Sequence, residues 1–129
     1  KKVVLAVDCG KAINPDLVKG QIVGGLLQGF ATVLYEDMRY DDKGRLLNPN
    51  FSDYKLPTAK DMPEQIVPII VEVPQPDGPF GARGVGEHTM IPCAPLIANA
   101  VADALGVRIK SMPVTKEKVA LAAAGGKSK

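Results

Sequence analysis

The stretch Asp77-Gly78-Pro79-Phe80-Gly81-Ala82-Arg83-Gly84-Val85-Gly86-Glu87 sets four glycines around the approach to one carboxylate, Glu87. Glycine takes up positive φ without penalty and lets another group come close to the backbone. A loop built this way can wrap a large ligand and present its last side chain, Glu87, as an acid or a base. A Gly-rich connector ending in a solvated glutamate is the plainer alternative. This segment alone does not choose between them.

A second set of residues lies in the run from about Pro15 to Tyr35, where Ile22, Val23, Leu26, Leu27, Phe30, Val33 and Leu34 recur with the period of a core helix. On its other face Gln21, Gly25, Gln28 and Thr32 form a narrow stripe, with Gly24 at the edge. Each glycine inside a helix costs roughly 1 kcal/mol relative to alanine, so Gly20, Gly24, Gly25 and Gly29 need a reason. Close approach of a ligand or another backbone is one, and Gln21 could then hydrogen-bond to it. Tight packing against a sheet, with the glutamines in water, is the other.

Familiar chemistries are absent. Gly81-x-x-Gly84-x-Gly86 is neither a dinucleotide fingerprint nor a P-loop. His88 is the only histidine, and with Cys9 and Cys93 it gives at most three ligands at unpatterned spacings, so no metal site is assigned. Ser52 and Ser111 lack the GxSxG setting of a serine hydrolase. A phosphate site would need a cation aimed at it, and Arg83 is the one nearby. It could instead close a loop salt bridge.

The elements that must position these residues follow from local signals. Val3 to Val7 reads as a strand broken by Asp8-Cys9-Gly10. Asn14 caps the long helix, with Pro15 in its first position. Residues 36–47 read as a hairpin turning at Asp41-Asp42-Lys43-Gly44, and 48–63 as irregular. Residues 65–73 form a strand that Pro68 confines to an edge or a bulge. A second helix spans about Pro92 to Leu105, with Thr89 as a cap and Gly106 at its C′ position. Val107 to Met112 reads as a short strand, and Thr115 caps a short C-terminal helix. The fold class is α+β: a mixed sheet, two main packed helices and the short last one. Residues 1–124 form one domain and 125–129 a flexible tail.

The 129 residues are 46% hydrophobic, enough for a real core, and a net charge of +2 gives no case for nucleic acid. Two cysteines without CxxC spacing suit free thiols in a reducing, cytoplasmic setting. No apolar run approaches a membrane span, and the apolar start is too short for a signal peptide. A chain that opens inside a strand without an initiator Met is expected to be a piece of a longer protein.

Taken together, the motifs resemble the molybdenum hydroxylases, the xanthine dehydrogenase and aldehyde oxidoreductase family. Gly78-Pro79-Phe80-Gly81-Ala82-Arg83-Gly84-Val85-Gly86-Glu87 is similar to that family's last active-site segment. Val7-Asp8-Cys9-Gly10-Lys11-Ala12-Ile13-Asn14-Pro15 resembles its VDxGxxINP run, and Gly20-Gln21-Ile22-Val23-Gly24-Gly25 with Gln28-Gly29 its GQxxGGxxQG helix. Ser52-Asp53-Tyr54-Lys55-Leu56-Pro57-Thr58 and Met112-Pro113-Val114-Thr115-Lys116-Glu117-Lys118-Val119 also fit, so the likeness spans nearly the whole chain in order.

The resemblance implies the C-terminal part of a molybdopterin-binding subunit. Gln21 and the loop of Gly84, Val85 and Gly86 would hold a molybdenum–molybdopterin cofactor, alone or as a dinucleotide. Glu87 would be the general base for oxidising an aldehyde or N-heterocycle with water as the oxygen source. It also implies partners: the remainder of the subunit, and iron–sulfur and FAD domains or subunits that accept the electrons. Neither nucleic acid nor membrane is among them. Such a chain would be inactive alone. The alternative is a non-catalytic assembly module that keeps the fold, against which the intact GVGE and GQ motifs count.

Overall fold

The computed structural model describes residues 2–125. All but the first residue of the tail expected at 125–129 therefore lies outside the described residues. The chain divides into two compact units, Lys1–Gly29 with Asp61–Pro92 and Phe30–Lys60 with Cys93–Lys129.

In the first unit, β1 (Lys2–Asp8) pairs in parallel with β2 (Gln65–Val71), in a register that runs from Lys2 opposite Gln65 to Asp8 opposite Val71. The expected mixed sheet is thus wholly parallel among the described residues. The long helix lies between the two strands in sequence, and a chain that must cross over before pairing returns parallel rather than as a hairpin. Pro68 faces Leu5 in that register. A strand with one neighbour has a free side, where a missing N–H breaks no ladder.

Helix α1 (Pro15–Leu34) starts where Asn14 Oδ1 accepts the N–H groups of Asp16 and Leu17, both at 3.1 Å. Ile22 and Leu26 are fully buried. By length and composition α1 could cross a membrane, with a mean hydropathy of 1.3 over its most apolar window. Val18, Ile22, Val23, Leu26, Leu27, Phe30, Val33 and Leu34 raise the mean, while Asp16, Lys19, Gln21 and Gln28 prevent an unbroken apolar run. A core helix passes the same test.

The exits of the two strands are laced together. Lys11 N–H donates to Gly81 carbonyl at 2.7 Å and Arg83 N–H to Cys9 carbonyl at 2.8 Å, and Gly10 bridges Ala82. Gly10 takes φ +64, and a Cβ there would lie 2.4 Å from the Gly81 oxygen, so this crossing admits only glycine.

In the second unit α2 (Cys93–Leu105) ends at Gly106, φ +70, whose N–H returns to Ala102 at 2.8 Å, and α3 (Lys116–Ala123) is capped by Thr115, which accepts from Lys118 N–H at 3.3 Å. Val33, Ile97, Ile109, Val114 and Ala122 make its core. The strand expected at 107–112 does not form. Ile109 is buried, but this segment has no neighbouring strand, and a cis Met112–Pro113 bond follows it. The expected hairpin is reduced to one bridge, Tyr40 to Leu46. Two backbone bonds flank it, from Leu47 N–H to Arg39 carbonyl at 2.7 Å and from Asp41 N–H to Arg45 carbonyl at 3.0 Å, and side chains reinforce them: Asp41 Oδ1 accepts the N–H groups of Lys43 and Arg45 at 2.9 Å, and buried Asn48 joins Arg39 N–H to Asp37 carbonyl.

Candidate functional site

Within the first unit, one face of α1 meets the glycine loop. Gln21 Nε2 donates to Val85 carbonyl at 3.0 Å, and Gln28 Nε2 donates to Glu87 Oε1 at 3.3 Å. These glutamines are seven residues apart, two helical turns, so they project from one side. The sequence stripe is therefore real. Its central member, Gly25, is explained by a neighbour: a Cβ there would sit 1.7 Å from Thr89 Oγ1. Gly20 and Gly24 have nothing within 4 Å of an added Cβ, so packing in the described chain does not require them.

Thr89, four residues before α2 begins, ends the three-residue 3-10 turn Glu87–Thr89, and its hydroxyl donates to Gly86 carbonyl at 3.0 Å and lies 3.3 Å from Gln21 carbonyl. Glu87 opens that turn and is exposed. His88 Nδ1 accepts, at 3.5 Å, from Gly86 N–H.

Arg83 is committed to a loop salt bridge, with Nη1 3.2 Å from Asp8 Oδ2. Asp8 also accepts from Gly10 N–H at 2.9 Å and Val73 N–H at 3.2 Å. The Gly10 N–H chiefly, then those of Val73 and the Arg83 guanidinium, hold its carboxyl below the usual range against some desolvation. Glu72 is lowered in the same way, first by Ala12 N–H at 2.8 Å and then by Lys11 Nζ at 2.9 Å. With both nearby cations paired, the phosphate-site reading loses its aimed charge. A concavity of about 330 Å³ beside Gln21 and Val85 is lined mainly by apolar groups, among them Ile13, Leu17, Val18 and Ala82. Cys9 and Cys93 are buried free thiols, and burial pushes the Cys93 thiol up.

Comparison with known proteins decides the family. Residues 1–63 match the molybdopterin cofactor-binding domain. The chain is 38% identical over 116 residues to subunit gamma of the 6-hydroxypseudooxynicotine dehydrogenase complex of Paenarthrobacter nicotinovorans, covering 88% of this chain and 15% of that one. It is 41% identical over 113 residues to a putative xanthine dehydrogenase molybdenum-binding subunit of Escherichia coli K12, covering 87% and 15%. The aldehyde oxidoreductase of Desulfovibrio gigas superposes with a TM-score of 0.84 at 37% identity, over 94% of this chain and 13% of that one. The chain belongs to the molybdenum hydroxylase family. It matches a fragment of the family's molybdenum-binding subunit, spanning about 15% of the first curated relatives' length.

The residues present fit the cofactor of a molybdenum hydroxylase. A Cβ at Gly24, Gly84 or Gly86 would stand in open space. Among the described residues the N–H groups of Gly84 and Val85 and the Oε1 of Gln21 have no partner. The α1 face and the loop thus offer room, two donors and an acceptor to a polar planar group. No group of three His, Cys, Asp or Glu among the described residues could hold a metal ion.

Proposed function

We propose that this chain is part of the catalytic subunit of a molybdenum hydroxylase that oxidises an aldehyde or N-heterocycle, with water as the oxygen source and Glu87 as general base. Gln21, Gly84, Val85 and Gly86 hold the molybdopterin, alone or as a dinucleotide. Molybdenum supplies the two-electron redox chemistry that no side chain here can provide. This chain's part is to bind, orient and take a proton. The loop amides of Gly84 and Val85 donate to the cofactor, and Gln21 keeps the loop against α1 through the Val85 carbonyl. Gln28 occupies Oε1 of Glu87 and leaves Oε2 to accept the proton.

The observation that carries this reading is that one helix face holds both the glycine loop and the carboxylate, beside glycines that no packing among the described residues requires. The relatives' names support the substrate class: one is an aldehyde oxidoreductase, another a xanthine dehydrogenase subunit, and xanthine is an N-heterocycle. The partners are the remainder of the molybdopterin-binding subunit and iron–sulfur and flavin domains or subunits, in the cytoplasm. This fits relatives described as subunits, one of them of a complex. Without them the chain is inactive.

The test is turnover of the assembled subunit with Glu87→Gln. A positioned base contributes about 10²–10⁴-fold. Turnover should fall by that factor while molybdenum content holds, and undiminished turnover would remove Glu87 from the mechanism.

A further inference from the structure

We infer that Thr89, seated on Gly25, is a positioning residue for Glu87. The inference rests on the proposed role of Glu87 as base. Three points along one face of α1 grip the loop: Gln21 holds Val85, Gly25 receives Thr89, and Gln28 holds Glu87. The outer two are exposed hydrogen bonds between side chain and loop, which water can replace at little cost.

The middle grip differs. Thr89 is 1% exposed, and its hydroxyl reaches Gly86 carbonyl in its own loop and approaches Gln21 carbonyl in the helix. Its Oγ1 and Cβ fill the volume that a Cβ on residue 25 would occupy, at 1.7 and 2.9 Å. Water cannot enter there without displacing the turn. The same turn begins at Glu87, and Met90 N–H closes it on Glu87 carbonyl at 2.9 Å. Fixing Thr89 on the helix therefore fixes the Glu87 backbone two residues earlier. Gly25 has a purpose too: it is the socket, and any larger residue would push the base outward.

A misplacement of about 1 Å at a reacting group can cost 10²-fold in rate. Thr89→Val, which keeps the shape and removes the hydroxyl, should lower kcat of the assembled enzyme about 10–10²-fold. KM and molybdenum content should stay within twofold, and Thr89→Ser should restore most of the rate. Amide hydrogen exchange in residues 84–90 should rise in Thr89→Val while β1 and β2 stay protected. Gly25→Ala should reproduce both effects, and combining it with Thr89→Val should cost no more than either alone, since both release the same tie between residue 89 and the helix.

Glu87→Gln is run in parallel. If it abolishes turnover while Thr89→Val leaves kcat and loop exchange unchanged, the positioning role is wrong and the base stands. If Glu87→Gln turns over normally, the base reading falls, and faster loop exchange in Thr89→Val would then show a structural tie only. Loss of molybdenum in step with turnover in both Thr89→Val and Gly25→Ala would overturn the positioning role in favour of a folding one.

Discussion

Glu87 has a neighbour that its sequence position does not reveal. The carboxylate lies 59 residues from Gln28 along the chain, yet Gln28 Nε2 is 3.3 Å away. The stripe of Gln21, Gly25 and Gln28 could be read in the sequence because the helical period is fixed. What that stripe faced could not, because no local rule ties a helix face to a distant loop. The setting of Thr89 was hidden for the same reason. A threonine shortly before a helix looks like a cap, and only the tertiary structure shows its hydroxyl bonded to Gly86 carbonyl and near Gln21 carbonyl. At this scale Gln28→Met, which keeps length and loses the donor, should lower kcat of the assembled enzyme by less than tenfold. An exposed hydrogen bond that water can replace contributes about 1 kcal/mol, and steady-state kinetics on both variants would rank Gln28 below Thr89.

At the scale of elements, local chemistry set most boundaries. Asn14-Pro15, Gly106 and Thr115 each mark a helix end where the sequence predicted one. Asn14→Ala should cost about 1 kcal/mol of stability in chemical denaturation, the usual worth of an N-cap. Strand pairing was harder to read. Among the described residues the β-prone run at 107–112 has no partner to pair with, and the hairpin at 36–47 shrinks to a short backbone pairing around Tyr40 and Leu46 that the Asp41 and Asn48 side chains reinforce.

The lacing of the strand exits should make the first unit sensitive to acid. Asp8 and Glu72 have lowered carboxyl pKa values in the folded chain. Their contribution is therefore fully present above the unfolded value, roughly pH 4, and is lost as pH falls through the folded one. Denaturation midpoints should drop steeply below about pH 4. Asp8→Asn together with Glu72→Gln should flatten that drop, and an unchanged profile would show that other carboxylates govern it.

On the scale of the whole molecule, a chain spanning about 15% of its relatives carries motifs whose partners lie mostly elsewhere. Its open glycines, unpartnered loop amides and exposed Ile13 and Leu17 are the features of a half-site. The family was legible because several short motifs occur in order, each demanding a residue type that packing alone would not. Substrate choice was not, because Glu87 is exposed and the concavity beside Gln21 and Val85 does not include it. The chain alone should show no turnover, and activity should appear only with the rest of the subunit and its cofactor.

The most direct measurement is the rate at which substrate reduces the assembled enzyme in a single turnover, compared between wild type and Glu87→Gln at equal molybdenum content. The account predicts that reduction slows by about 10²-fold or more while substrate binding is little changed. Equal reduction rates in the two enzymes would contradict it.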